Sequence, residues 1–275
     1  MKYSIRTISA VAVSSVLLMG AGPQLVSVNQ EVQIGREAQR QIKRDVPVVN
    51  DGTVNRYVDS VGARLVRQAT GPRYPYSFDV ANFREINAFA LPGGPVWIHR
   101  GALSSAQNES QVAGVLAHEI AHIAQRHAAS QMTKGLIANG LLGLLGAIVG
   151  NDRGGQIAQI AGGLAAQGYM LKFSRDDERE ADEVGAQIMK RAGWNPNGMV
   201  EFMQILRAQA GRDPGSVQTF LSSHPAPAER VTRLQSTVRR VGATGTRDSQ
   251  AFRQVKSRLN RLAPAPSMRT MRASR

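Results

Sequence analysis

The sequence predicts an α+β fold, predominantly helical, with a small β-sheet beside one strongly apolar helix. Three observations predict it. Apolar residues recur at helical spacing through most of the chain. The two β-rich runs, Tyr76–Val80 and Val96–His99, are short and fall together in the first half. A hydrophobic content of 42% over 275 residues is enough for one substantial core.

In chain order, the N-terminus has Lys2 and Arg6, an apolar run from Ile8 to Met19, and then Gly20, Ala21, Gly22 and Pro23. This is the pattern of a secretory signal, and the run is short against the roughly 20 residues of a membrane span. Residues 1–27 therefore read as a signal peptide or an uncleaved anchor, and the rest of the chain is expected in a bacterial periplasm. Val32, Ile34, Ala38 and Ile42 within Glu31–Lys43, and Val54, Val58, Val61 and Leu65 within Val54–Val66, mark two surface helices. Pro92-Gly93-Gly94-Pro95, between Phe89 and Trp97, reads as the turn of a hairpin. The next helix starts after Asn108, with Gln111 completing a capping box and Val112, Val115, Leu116, Ile120 and Ile123 as its apolar stripe. Two uncharged stretches rich in glycine and alanine, Gly135–Asn151 and Gly154–Leu171, predict a helical hairpin, packed on the domain or skimming a membrane. Ser174 caps a charged helix, Ala228–Val238 is helical, and Phe252, Val255, Leu259 and Leu262 mark an amphipathic helix. Pro264–Arg275 reads as flexible.

The chain has no cysteine, which excludes disulfides, thiolate metal sites and cysteine nucleophiles. Its formal charge is +14, but residues 239–275 hold ten Lys/Arg against the single acid Asp248. The excess thus belongs largely to an appended segment, suited to an anionic membrane surface or an acidic partner. Nucleic acid is not an expected partner. The predicted organisation is a leader (1–27), one catalytic domain (28–238) and a basic C-terminal segment (239–275).

The chemistry lies in His118-Glu119-Ile120-Ala121-His122. At about 100° per residue the two histidines stand about 40° apart on one helix face, one turn from each other, so both can grip one ion. Glu119 is then near enough to take a proton from a water that the ion has acidified. A third ligand is needed. His127 lies five residues past His122 rather than six, lacks the intervening glycine, and faces about 180° from His118; it reads either as a residue behind the ligands or as a surface residue. The run from Ser174 to Asp182 offers Glu178 and Asp182 one turn apart, a carboxylate ligand and a partner that would fix a ligand imidazole. A solvated charged helix is the alternative, and Glu180 reads as surface in either case.

Four ordered blocks carry a resemblance: Asn87–Gly94, Val115–His122, Ser174-Arg175 with Glu178 and Ala181-Asp182, and His224-Pro225 with Arg230. The chain resembles the gluzincin metallopeptidase family that includes the CaaX prenyl protease, HtpX and the periplasmic β-barrel assembly-enhancing protease. The resemblance implies a zincin-like domain, one Zn²⁺ bound by His118, His122 and Glu178, catalysis by Glu119, and an endopeptidase for unfolded or misassembled proteins. Asn87, Ala88, Phe89 and Ala90 would be a strand edge that pairs with extended substrate. His224 resembles a family histidine near the metal, as oxyanion stabiliser or as a latch on the open coordination position. The transmembrane segments of HtpX and the repeats of the assembly-enhancing protease have no counterpart in the pattern, which resembles a stand-alone exported member. Outer-membrane assembly machinery is an expected partner. A zinc-binding chaperone or assembly factor with a latched, rarely cutting site is the alternative function.

Overall fold

The computed structural model describes residues 25–138, 153–166, 171–225 and 228–273; the apolar run read as a signal and the centre of the glycine-rich hairpin lie outside them. Helix α1 (Val28–Asp45) starts at Ser27, whose hydroxyl accepts from the Gln30 N–H while the Gln30 carboxamide accepts from the Ser27 N–H. Asp51 caps α2 (Gly52–Val66) by accepting from the N–H groups of Thr53 and Val54. Strands β1 (Ser77–Ala81), β2 (Ala88–Ala90) and β3 (Pro95–His99) form a sheet of order β1-β3-β2, with β3 parallel to β1 and antiparallel to β2. The β2–β3 hairpin has Phe89 opposite Trp97, their rings stacked at 6.2 Å. Gly93 has φ 73°, and a Cβ there would come within 2.4 Å of the Val32 backbone, so glycine lets the turn rest on α1.

Beyond the short α3 (Arg100–Ser105) lies α4 (Glu109–Ala124), every residue of which is buried. Asn108 accepts from the Gln111 N–H, but the Gln111 side chain takes the N–H of Gln107, one residue before the one a capping box uses. The remaining helices are α5 (His127–Ala138), α6 (Arg153–Ala166), α7 (Arg175–Arg191), α8 (Asn197–Arg212), α9 (Pro214–Ser223), α10 (Ala228–Val241), α11 (Gln250–Arg261) and α12 (Met268–Ala273). Helix α4 packs against α2, α7, α8 and β2. Gly185 of α7 allows the close approach, since a Cβ there would stand 3.3 Å from the Ala117 and His118 backbone. Leu116 and Ile120 are fully buried, and truncating either to alanine should cost roughly 2–5 kcal/mol. Such packing fixes the helix that carries the HEIAH residues.

Helix α6 packs on α1, and its Ala161 is buried in one apolar cluster with Ala38, Phe89, Leu91 and Trp97. No helix among the described residues is long and apolar enough to cross a membrane. The C-terminal segment departs from expectation. Phe252, Val255 and Leu259 are buried as their spacing predicts, but the chain beyond them is docked rather than free. Arg100 donates to the carbonyls of Leu259 and Ala263 at 2.7 and 2.5 Å, and Arg84 N–H donates to the Pro266 carbonyl at 3.1 Å. The buried Glu85 carboxylate accepts from the Ser267 hydroxyl at 2.5 Å and from the Met268 N–H. These partners lie more than 150 positions away, where local composition gives no sign of them.

Candidate metal centre

Helix α4 presents His118 and His122 from successive turns, with their Nε2 atoms 3.1 Å apart. Ser174 and Asp177 form the capping box that starts α7, so that Glu178 emerges at its first turn facing α4. Its Oε2 stands 3.4 Å from His118 Nε2 and its Oε1 3.3 Å from His122 Nε2. His224, at the end of α9, brings Nδ1 to 2.9 Å from Glu178 Oε1 and 3.4 Å from His118 Nε2. One ligand atom from each of these four buried residues lies within 4.8 Å of all the others. Glu119 is fully buried and neither of its oxygens has a hydrogen-bond partner among the described residues; His224 Nε2 is 3.6 Å away.

Three imidazoles and a carboxylate converge in this buried site, where His224 Nε2 and both Glu119 oxygens lack the hydrogen-bond partners that burial demands among the described residues. A cation resolves that shortage, and an imidazole and carboxylate donor set suits a first-row divalent ion. Burial holds the His122 imidazole well below its ordinary range, so it is neutral. Burial raises the Glu178 carboxyl, but His224 and His118 outweigh it and pull the group well below the usual carboxylate range. Burial also lowers His118, yet the Asp182 and Glu178 carboxylates beside it outweigh that and lift it to about 9.

The His118 ring is oriented from behind. Asp182 Oδ1 lies 3.1 Å from His118 Nδ1, and Arg230 grips Asp182 with Nε and Nη2, each at 2.8 Å. Arg230 Nη1 is also 2.5 Å from Glu178 Oε2, so one buried guanidinium ties both carboxylates of α7 together. Burial raises Asp182, but the Arg230 charge outweighs it and holds the group at about 2.

The profile of Peptidase family M48 matches residues 53–238. The chain belongs to Peptidase family M48. The β-barrel assembly-enhancing protease of Escherichia coli is 35% identical over 240 residues, 85% of this chain and 49% of that protein. The mitochondrial metalloendopeptidase OMA1 of Schizosaccharomyces pombe is 29% identical over 215 residues, 76% of this chain and 61% of the relative. The Escherichia coli metalloprotease YcaL is 28% identical over 167 residues, 60% and 63% of the two chains. This M48 chain spans about half the length of the assembly-enhancing proteases it matches.

The M48 centre has surroundings that the sequence did not disclose. His127 is buried, not turned away: the helix ends at Ala124, and Arg126 adopts φ 59°, which swings His127 back so that its Nδ1 lies 2.9 Å from His122 Nδ1. The left-handed conformation is held because Arg126 donates to Glu31 at 2.7 Å and to the Val26 carbonyl at 2.5 Å. Phe173 stacks on His122 at 3.9 Å between centroids, and its N–H donates to the Ser223 carbonyl at 3.2 Å. Phe173 stands just before the Ser174 N-cap, but the fourth helical position is the charged Glu178, so the sequence carries no apolar staple that would have placed this ring. Asn87–Ala90 leads into and forms the edge strand β2 against α4, and all four residues are buried.

Proposed function

We propose that this M48 chain is a zinc-dependent endopeptidase of the bacterial cell envelope that hydrolyses peptide bonds in unfolded or misassembled proteins. The observation that carries the reading is the unpartnered, buried Glu119 carboxylate beside the convergent His118, His122 and Glu178. His118, His122 and Glu178 would hold Zn²⁺, which would supply Lewis acidity, polarising a carbonyl and lowering the pKa of a water to near neutral. Glu119 then takes a proton from the attacking water and passes it to the leaving amine. His224, whose Nε2 lies 3.6 Å from Glu119 Oε1, is assigned to the oxyanion, with a latch on the open coordination position as the alternative. Asp182 holds the His118 ring. Substrate would add as an extended strand to the β2 edge at Asn87–Ala90, which requires the cover over these four buried residues to shift.

A relative named for β-barrel assembly makes outer-membrane assembly machinery the partner to test first, with a periplasmic location and a peripheral membrane contact through the basic C-terminal segment. A second reading, a chaperone or assembly factor that holds zinc but rarely cuts, draws on the burial of His118, Glu119, His122, Glu178 and His224 alike. The deciding experiment is casein cleavage by purified full chain and Glu119→Gln. The reading expects the variant to lose at least about a hundredfold in rate. Undiminished cleavage by Glu119→Gln contradicts the mechanism. Wild-type protein that binds zinc and suppresses aggregation, yet creates no new peptide termini, favours the second reading.

A further inference from the structure

The ring nitrogen of His122 that faces away from the ligand cluster has a partner whose identity fixes what the other nitrogen can do. Nε2 looks into the cluster, 3.1 Å from His118 Nε2 and 3.3 Å from Glu178 Oε1. Nδ1 is 2.9 Å from His127 Nδ1, and two nitrogens at that distance share a single proton. His127 Nε2 in turn lies 3.3 Å from Glu180 Oε2, a carboxylate that can only accept when ionised. Glu180 forces the N–H of a neutral His127 onto Nε2, which leaves His127 Nδ1 as an acceptor. His122 must then carry its own N–H on Nδ1, and its Nε2 lone pair is aimed at the cluster. The opposite arrangement points an N–H of His122 at the metal position and a lone pair of His127 at a carboxylate.

We propose that His127 and Glu180 form a two-residue arm that positions His122 for the metal, fixing both its ring plane and its tautomer. Carboxylate–histidine–metal triads are a general device, and this arm lengthens one by an extra imidazole. The local fold is built for it: the left-handed Arg126 returns His127 to α4, and Phe173 packs against the rings of both His122 and His127. Glu180 follows Glu178 by two residues on α7 and is half exposed, so the arm runs from the dry site to solvent. Sequence alone places Glu180 on the surface, which is correct for its exposure and incomplete for its role.

The inference rests on the metal-site reading above, and its test reads metal binding rather than peptide hydrolysis. The full chain, His127→Phe, His127→Asn, Glu180→Ala and the double variant His127→Phe/Glu180→Ala are titrated with zinc against a chromogenic chelator. Thermal melts without zinc report folding, and ¹⁵N shifts of His122 report its tautomer. His127→Phe fills the space without accepting, and is expected to weaken zinc by about 10–100-fold. His127→Asn, whose Oδ1 replaces Nδ1 as acceptor, is expected to recover most of that loss. Glu180→Ala should weaken zinc less and have no effect in the His127→Phe background, because it acts through His127. Wild-type His122 should carry its proton on Nδ1. A folded His127→Phe that binds zinc within twofold of wild type overturns the proposal, as does a Glu180→Ala effect of equal size in both backgrounds. Wild-type protein that binds no zinc overturns the metal-site reading and this inference with it.

Discussion

Two histidines one turn apart on the same helix are held in unlike ways. Behind His118 stands Asp182, buried and clamped bidentately by the buried Arg230. Behind His122 stands His127, whose outer nitrogen meets Glu180, a side chain half open to water. The first arm has two full charges in a low-dielectric interior, where losing either is expensive. The second ends in solvent, where screening limits what its last contact contributes. The difference assigns them separate work. The Asp182–Arg230 arm underwrites the fold and the site together, while the His127–Glu180 arm tunes one ligand.

Arg230→Gln tests the first half of that contrast hardest. It strips the guanidinium that bridges Asp182 and Glu178 in a buried site, and should cost about 3–5 kcal/mol, read from urea unfolding. A loss under about 1 kcal/mol would mean the arm is not dry. Acid gives a second view. Asp182 is depressed from its ordinary 3.8 to about 2, so its stabilisation is in full force above pH 4 and disappears as pH falls through 2. Circular dichroism against pH should show acid unfolding beginning at higher pH in Arg230→Gln than in wild type. Asp182→Asn keeps the shape but loses the charge, and zinc affinity should fall by about 10–100-fold. The smallest effect belongs to the wet end: Glu180→Gln should weaken zinc binding by under about 1 kcal/mol, a difference that narrows as salt is raised. Equal effects of the Asp182 and Glu180 substitutions would erase the contrast.

The contrast also separates what could be read in the sequence from what could not. His118, Glu119 and His122 were legible because helical spacing alone puts them together, whereas one turn of a capped helix offered Glu178 and Asp182 without excluding a solvated helix, and the resemblance chose between the two. The hairpin was legible from Pro92-Gly93-Gly94-Pro95, since its turn needs positive φ at Gly93 and Gly94. His127 was left open between a place behind the ligands and the surface; the structure puts it behind His122, and what misled was the direction, from extending a 100° period through Arg126, where the chain leaves the helix. Nothing local in His-Ala-Ala announces that turn, whose cause is a buried Glu31 95 positions upstream. Arg230 was visible only as part of a motif, because its two carboxylate partners lie about fifty positions before it. The docked end of the chain was hidden for the same reason, with its partners at Glu85 and Arg100.

The central claim is that His118, His122 and Glu178 hold one metal ion beside Glu119. Anomalous diffraction at the zinc edge, from crystals of the full chain grown with one equivalent of zinc, tests it most directly. The account predicts a single peak about 2.0–2.2 Å from His118 Nε2, His122 Nε2 and a Glu178 oxygen, with Glu119 adjacent but not bonded to it. A peak elsewhere, or none in zinc-saturated crystals, would contradict it.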